Sequence, residues 1–549
     1  MFVSGLKFIL FLFFNTFTSL SSFLTSKLMK KVLLFILCSL STFSLSGQNC
    51  FSTTATYTSG SWPASVYSAY LNADAYKDLV SVNVSTNDVY IYIGSANGTF
   101  TLSNIYTLSN YPWLVHGGDF NNDGNIDLVT ANAGTSSITV MYGTGVGTFS
   151  TTADYLVGFS PRSVFVSDFN NDGKQDIVTA NTNSNNDATV LLGTGAGTFS
   201  SSINYTVGGL SPNSVFCADF NNDGFKDIVT ANNSSNDISV LFGNGTTFTL
   251  NATYNVGAMP NAVIGGDFNA DTYYDLATAN INGQNISVLL GNSIGTFGPA
   301  TNYAANASNP FAIQISDFNN DGKSDIVTAN FNGSNVSVFL GNGTGGFATP
   351  SLFSVGSNPY SVVASDFNSD GYADLATANK NSNDLTVLMN YSFTVNSSAN
   401  FSVICQGKTT TLTANGAATY TWSPGPISPS VVVSPASNTN YTVTGTSSGG
   451  CVNSAVLSVS VNALPTLTAG ASSTVICAGN AATITAGGAT TYTWNTGPTT
   501  NTVAVSPSTN TNYTVAGTSV VSGCSNTAVQ SISVNALPNV TTNASSTVL

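Results

Sequence analysis

One nine-residue pattern constrains this chain more than anything else in it. Asp119-Phe120-Asn121-Asn122-Asp123-Gly124-Asn125-Ile126-Asp127 places oxygen side chains at positions 1, 3, 5 and 9 and a glycine at position 6. A hard cation such as Ca²⁺ takes about six to eight oxygen ligands. Alternate residues of a tight turn can aim oxygens at one centre, and glycine adopts backbone angles that other residues resist. Position 7 would offer a backbone carbonyl, so its side chain is free to vary. The flanks, Trp113-Leu114-Val115 and Leu128-Val129-Thr130, read as strands, which argues against the helix-flanked EF-hand.

The pattern recurs. Complete copies start at Asp168 (DFNNDGKQD), Asp219 (DFNNDGFKD), Asp317 (DFNNDGKSD) and Asp366 (DFNSDGYAD). A copy at Asp267 (DFNADTYYD) has Thr272 in place of glycine, and a worn copy at Tyr70 (YLNADAYKD) lacks both the first Asp and the glycine. The starts are spaced by 49, 49, 51, 48, 50 and 49 residues. A period near fifty with several short strands per unit marks a propeller of four-stranded blades. An isolated loop of this kind could be a polar Asn/Asp/Gly turn, but seven registered copies argue for ligated sites. The candidate metal ligands are Asp119, Asn121, Asp123 and Asp127; Asp168, Asn170, Asp172 and Asp176; Asp219, Asn221, Asp223 and Asp227; Asp267, Asn269, Asp271 and Asp275; Asp317, Asn319, Asp321 and Asp325; and Asp366, Asn368, Asp370 and Asp374.

On these motifs, residues 51–393 resemble FG-GAP/VCBS repeats, the blades of integrin-α-like seven-bladed propellers. The resemblance implies an all-β fold and one calcium per intact loop, on one face of the disc. The copies at Tyr70 and Asp267 depart from the pattern, so the first should hold no ion and the second a weaker one.

One unit gives the strand plan. Ser163–Ser167 enters the loop, Ile177–Ala180 leaves it, Asn181–Asp187 is turn chemistry, and Ala188–Leu192 and Asn204–Val207 are the third and fourth strands, all rich in strand formers. The Phe at position 2 should pack between blades, and the VTAN run after the loop should be core and turn. Residues 50–57 resemble 148–155, an outer strand, while the last unit ends at Met389-Asn390 without one. The chain start should therefore complete the last blade and cover its edge.

All 25 acidic residues are Asp, and 20 lie at positions 1, 5 or 9 of the loops, so the net charge of −14 is mostly site charge. Three carboxylates per loop would repel one another without a cation. Basic residues number 11, four of them before residue 32, too few for a nucleic-acid footprint. Residues 1–47 read as a secretory signal region: Met29 is a plausible start, Lys30-Lys31 precede the apolar run Val32–Leu40, and Ser44-Leu45-Ser46 is a cleavage pattern. No apolar run reaches the ~18–20 residues a membrane span needs. The chain is expected to be secreted or cell-surface, with no stable membrane span when mature.

After the propeller region (48–394) a second repeat begins. Cys405, Trp422, Tyr441 and Cys451 recur as Cys477, Trp494, Tyr513 and Cys524. Residues 395–465 and 466–538 resemble small Ig-like or PKD-like β-sandwich modules, and 539–549 resembles the start of a third. In a secreted protein Cys405–Cys451 and Cys477–Cys524 are the economical disulfides, with pairing between modules the alternative and Cys217 left free.

The sequence has one His, His116, and no Glu. With nearly all Asp committed to loops, neither a catalytic triad nor a paired-carboxylate site can be assembled with ease. The expectation is a calcium-binding adhesion or ligand-binding protein that recognises an extracellular glycan or protein. The alternatives are a lectin-like propeller, with Tyr155, Tyr205, Tyr254 and Tyr303 recurring once per unit, or the non-catalytic portion of a polysaccharide-active enzyme.

Overall fold

A computed structural model describes residues 50–108, 111–182, 186–391, 393–447 and 452–542, and among them every regular element is a β-strand. The secretory features before residue 47, Cys451 and the repeat at 544–548 lie outside the described residues. No helix among the described residues is long and apolar enough to cross a membrane.

Between Phe51 and Asn390 the strands form seven four-stranded antiparallel sheets. In one of them Pro112–Gly118 runs into the loop, Asp127–Asn132 leaves it, and Ser137–Gly143 and Phe149–Leu156 follow outward. The second strand of every sheet is buried throughout, as Asp127–Asn132 is, which explains its run of Val, Ile, Leu and Ala where alternation would be expected of a half-solvated strand. The innermost strands contact one another in a closed circuit, Pro63–Ala69 touching both Pro112–Gly118 and Pro359–Ser365. They enclose a cavity of about 370 Å³ lined by residues from all seven sheets.

The circuit is closed as the sequence implies. Phe51–Thr58 pairs antiparallel with Asp384–Asn390, Phe51 opposite Asn390 and Thr58 opposite Asp384. Neighbouring sheets are interlocked by aromatic edges. Phe120 meets Phe199 at 5.4 Å, Phe220 meets Phe297 at 5.7 Å, and Phe367 meets Phe100 of the first sheet at 5.3 Å. Phe318 meets Phe51 at 5.6 Å, so the first strand supplies the ring that the last sheet would otherwise lack. Tyr155, Tyr205, Tyr254 and Tyr303 serve the same seams: each meets a Phe of the next sheet at 5.2–5.6 Å. These contacts favour core packing over a sugar site on each unit.

Beyond residue 395 a three-stranded sheet (Asn396–Ala399, Thr410–Asn415, Ser430–Val433) and a four-stranded sheet (Val403–Cys405, Val452–Asn462, Thr439–Thr446, Thr419–Ser423) share one core around Leu412, Trp422 and Val443. The arrangement repeats around Ile484, Trp494 and Val515. Both indoles are buried and donate to backbone carbonyls, Trp422 to Ser428 and Trp494 to Thr500.

The disulfides differ from the economical pairing. Cys405 is joined to Cys524, with Cα atoms 5.6 Å apart, and Cys477 is free and exposed. The reason is strand geometry. Cys477 lies beside Asn535, at the end of Ser525–Asn535, whereas Cys524 directly precedes the start of that strand. Ten residues of strand separate the two places by about 30 Å, far beyond disulfide reach. Cys405 likewise lies beside Asn462, the last residue of Val452–Asn462. The turn carrying Cys524 instead abuts the end of the preceding module, Asn462 Nδ2 donating to the Ser522 carbonyl at 3.4 Å. Each module keeps its own two sheets and core despite the bond between them. Cys217 is free and buried in its sheet.

Candidate metal centres

Each loop begins where an innermost strand ends. In the loop at Asp119 the position-1 carboxylate accepts two backbone amides, Asp123 N at 3.1 Å and Gly124 N at 2.9 Å. Asn121 Oδ1 accepts Asp123 N at 3.0 Å, and Asp123 Oδ1 accepts Asn125 N at 2.8 Å. The backbone thus wraps around the oxygens of positions 1, 3 and 5 and fixes them in one small space. The same four bonds form at Asp168, Asp219, Asp267, Asp317 and Asp366.

The wrap requires two left-handed residues. Position 6 is one, with Gly124 at φ +85°. Position 4 is the other, filled by Asn122, Asn171, Asn222, Ala270, Asn320 and Ser369 at φ between 54° and 62°. Asn tolerates that region better than most residues, a requirement that the sequence pattern hid behind its variation. Thr272 takes φ +76° and still donates to Asp267 Oδ2 at 2.9 Å, so the fifth loop keeps its shape at the cost of a β-branched residue in a left-handed conformation.

Position 9 has a different duty. Asp127 is fully buried; its Oδ2 accepts Phe120 N at 2.9 Å and its Oδ1 accepts Gly143 N at 2.7 Å. It is a latch that ties the loop entrance to the end of the third strand. Asp176, Asp227, Asp275, Asp325 and Asp374 make the same pair of bonds. Burial pushes the Asp127 carboxyl up to about 6; its two amide bonds oppose this, and the charges of Asp123 and Asp119 add to it. The expected gathering of three carboxylates is therefore looser than the spacing suggests. Among the described residues no three Asp, His or Cys side chains form a ready-made cluster.

The donor set nevertheless fits a hard cation. Carboxylates at positions 1 and 5 and an amide oxygen at position 3 are oxygen ligands held by the backbone, and the latch carboxylate lies close enough for its charge to be felt. Neighbouring loops also touch: Asn171 Nδ2 donates to the Gly224 carbonyl at 2.8 Å, and Asn320 Nδ2 to the Gly371 carbonyl at 3.0 Å. The loops thus share one face of the ring.

The worn loop differs where the sequence does. Asp78 keeps the latch, accepting Leu71 N at 2.8 Å and Gly94 N at 2.9 Å. At position 1 stands the Tyr70 ring, with the Lys77 ammonium 3.8 Å from its centroid. The chain's own cation lies there against an aromatic face.

The remaining acid–base candidates are occupied elsewhere. His116 lines the central cavity with its ring 5.3 Å from Tyr67 and 5.0 Å from Phe165, and burial lowers its pKa. Asp88, Asp187, Asp237 and Asp384 each accept the amide of the Asn that ends the preceding strand, at 2.7–2.8 Å. Asp154 accepts Thr139 Oγ1 at 2.6 Å.

No curated protein matches the chain. Among solved structures, similar chains include BBS1N in complex with ARL6DN, at 12% identity and TM-score 0.46, covering 62% of this chain and 97% of that one. A periplasmic gluconolactonase of Pseudomonas aeruginosa is similar at 16% identity and TM-score 0.42, covering 54% and 86%. A 6-phosphogluconolactonase-like protein of Bacteroides uniformis is similar at 14% and 0.41, covering 59% and 90%. The FG-GAP-like repeat model matches residues 70–130, 119–179, 168–230, 267–328 and 317–377, each match running from one loop to the next. Over residues 70–230 and 267–377 the chain carries FG-GAP-like repeats.

Proposed function

We propose that this is a secreted or cell-surface calcium-binding protein: a seven-bladed propeller over residues 48–394, followed by Ig-like modules at 395–465 and 466–538, that binds an extracellular ligand without catalysing a reaction. The observation that carries the proposal is the amide wrap repeated in six loops, which holds the same three oxygen side chains at each. Calcium at these loops would neutralise the paired carboxylates and cross-link the turn. Asp119, Asn121 and Asp123 would be its side-chain ligands in the second loop, with Asp127 contributing whatever its latch leaves free. The loops at Asp168, Asp219, Asp317 and Asp366 would act alike. The Asp267 loop would bind more weakly, and the Tyr70 loop would hold Lys77 in place of a metal.

The binding reading is supported by the settings of the acid–base groups. His116 is held between two rings, and the Asp residues outside the loops accept hydrogen bonds from Asn and Thr side chains. The test is metal analysis of the purified chain after exchange into calcium. Five or six ions per chain are expected, and two or fewer would overturn the proposal.

A further inference from the structure

We infer that the mouth of the central channel on the face opposite the loops binds an acidic carbohydrate, a glycan bearing uronate groups. This deepens the binding reading and rests on it.

Every innermost strand begins with proline, from Pro63 to Pro359, and ends at its loop. Residues beside the prolines therefore ring one end of the channel and the loops ring the other. At the proline end Trp62, Trp113 and Tyr360 meet edge-on, with centroids 5.8, 5.9 and 6.4 Å apart. Phe311 lies 4.1 Å from Tyr360. All four rings are only partly buried. The guanidinium of Arg162 lies 4.0 Å from the Trp113 centroid, and the Lys380 ammonium 3.8 Å from Trp62. Asn213 and Asn261 complete the circle; Asn213 Nδ2 donates to Asn261 Oδ1 at 3.0 Å.

Three features separate this arc from ordinary surface. Arg162 is the only arginine in the chain. Neither it nor Lys380 has an ion-pair partner among the described residues, whereas Lys174 and Lys323 pair with loop carboxylates. Asp384, on the hairpin that carries Lys380, is tied to the Asn379 amide. Finally, two donors of the arc, Trp62 Nε1 and Arg162 Nε, are buried without a hydrogen-bond partner, a costly condition that a polar ligand could relieve after a small side-chain shift.

The chemistry selects a sugar acid. A pyranose offers an apolar C–H face that stacks on indole and phenol rings, and a rim of hydroxyls suited to amides such as Asn213 and Asn261. A guanidinium stacked on an indole keeps its in-plane N–H fork for a carboxylate. A neutral sugar would leave both cations unpaired, and a simple carboxylate would leave the aromatic arc unused.

The test titrates the full chain, in saturating calcium, with trigalacturonate, the neutral galactose trisaccharide of the same linkage, and a tetra-aspartate peptide, read by heat and tryptophan emission. Trp422 and Trp494 are fully buried, so emission changes report Trp62 and Trp113. Trigalacturonate should bind about tenfold or more tighter than the neutral sugar, because a charge-assisted bidentate contact is added. Trp113→Ala should weaken it by about tenfold through lost stacking. Arg162→Gln should erase the preference for the acidic sugar while weak neutral binding remains. Lys380→Met, on a surface hairpin, should reduce the preference if Trp113→Ala fails to fold. Equal binding of acidic and neutral sugars, peptide binding as tight as trigalacturonate, or affinities unmoved by Arg162→Gln would each overturn the inference. Metal analysis of the same variants keeps the two proposals apart. A normal ion count without uronate binding refutes the mouth alone, and uronate binding with two or fewer ions refutes the calcium reading alone.

Discussion

The loops at Tyr70 and Asp366 occupy the same point of the repeat in adjoining sheets, yet they are held differently. Asp366 is wrapped by the amides of Asp370 and Gly371, and Asp374 latches the loop to Asn390. Tyr70 has no carboxylate to wrap, and its ring is capped by Lys77, but Asp78 still latches Leu71 to Gly94. The comparison separates two functions that the nine-residue pattern merges. Positions 1, 3 and 5 make the oxygen cup, and position 1 can be lost while Asn72 and Asp74 keep their amide bonds. Position 9 holds the sheet together and survives in all seven copies.

The separation can be challenged experimentally. Removal of calcium should have the largest effect. It would leave paired carboxylates facing each other in six loops and forfeit the linkage stabilisation of a ligand bound only by the native state, so the propeller transition should fall by about 10 °C or more. A melting curve unchanged in chelator, after verified metal loss, would leave the cups without a role. Next, Asp78→Ala removes both latch bonds in the loop that lacks the position-1 carboxylate. It should cost about 3 kcal/mol by orphaning two backbone donors. Asp74→Ala in the same loop should cost about 0.5 kcal/mol or less, as exposed substitutions do. Equal losses would erase the distinction between latch and cup.

The pH dependence should invert with metal. Burial holds Asp127, Asp176, Asp227, Asp275 and Asp325 at about 6 and Asp374 at about 7, against the ordinary 3.8. A carboxyl raised by folding favours the fold while protonated; that stability is present below the unfolded value and is lost as pH rises through the folded one. The chelated propeller should therefore melt at a lower temperature at pH 7.5 than at pH 5. With calcium the cation favours the ionised form and the trend should reverse. Parallel trends with and without metal would show that the latches do not sense the cups. The smallest effect belongs to Thr272→Gly. Relief of the left-handed Thr should add about 1 kcal/mol and tighten metal binding at the Asp267 loop, and an unchanged ion affinity there would mean that Thr272 does not weaken the site.

Much of the propeller-like fold could be read from spacing. Registered loops set the repeat, strand formers between them set four strands per unit, and the likeness of residues 50–57 to 148–155 located the closing strand. Candidate ligands were visible as residue types, but their division of labour was not. The clue to the latch was that Asp78 remained in the copy that had lost its first Asp and its glycine. The disulfide was illegible because Cys spacing carries no information about which end of a strand each Cys occupies. The channel mouth was hidden for the opposite reason to the loops. Its ring positions, one residue after each proline, hold Ala64, Trp113, Arg162, Asn213, Asn261, Phe311 and Tyr360. A site assembled from one different residue per repeat leaves no motif.

The bond between Cys405 and Cys524 also determines how the chain would carry tension. It spans 119 residues of sequence. A pull applied beyond Cys524 and resisted at the propeller would enter the covalent bridge at Cys524 and leave it at Cys405, so the strands between them would lie off the load path. They could not be peeled apart by that force, and the extensible length of the region would shrink to the segments outside the bridge. Reduction of this one bond would return the strands between the two cysteines to the load-bearing path and add their unfolded length to the reach of the chain.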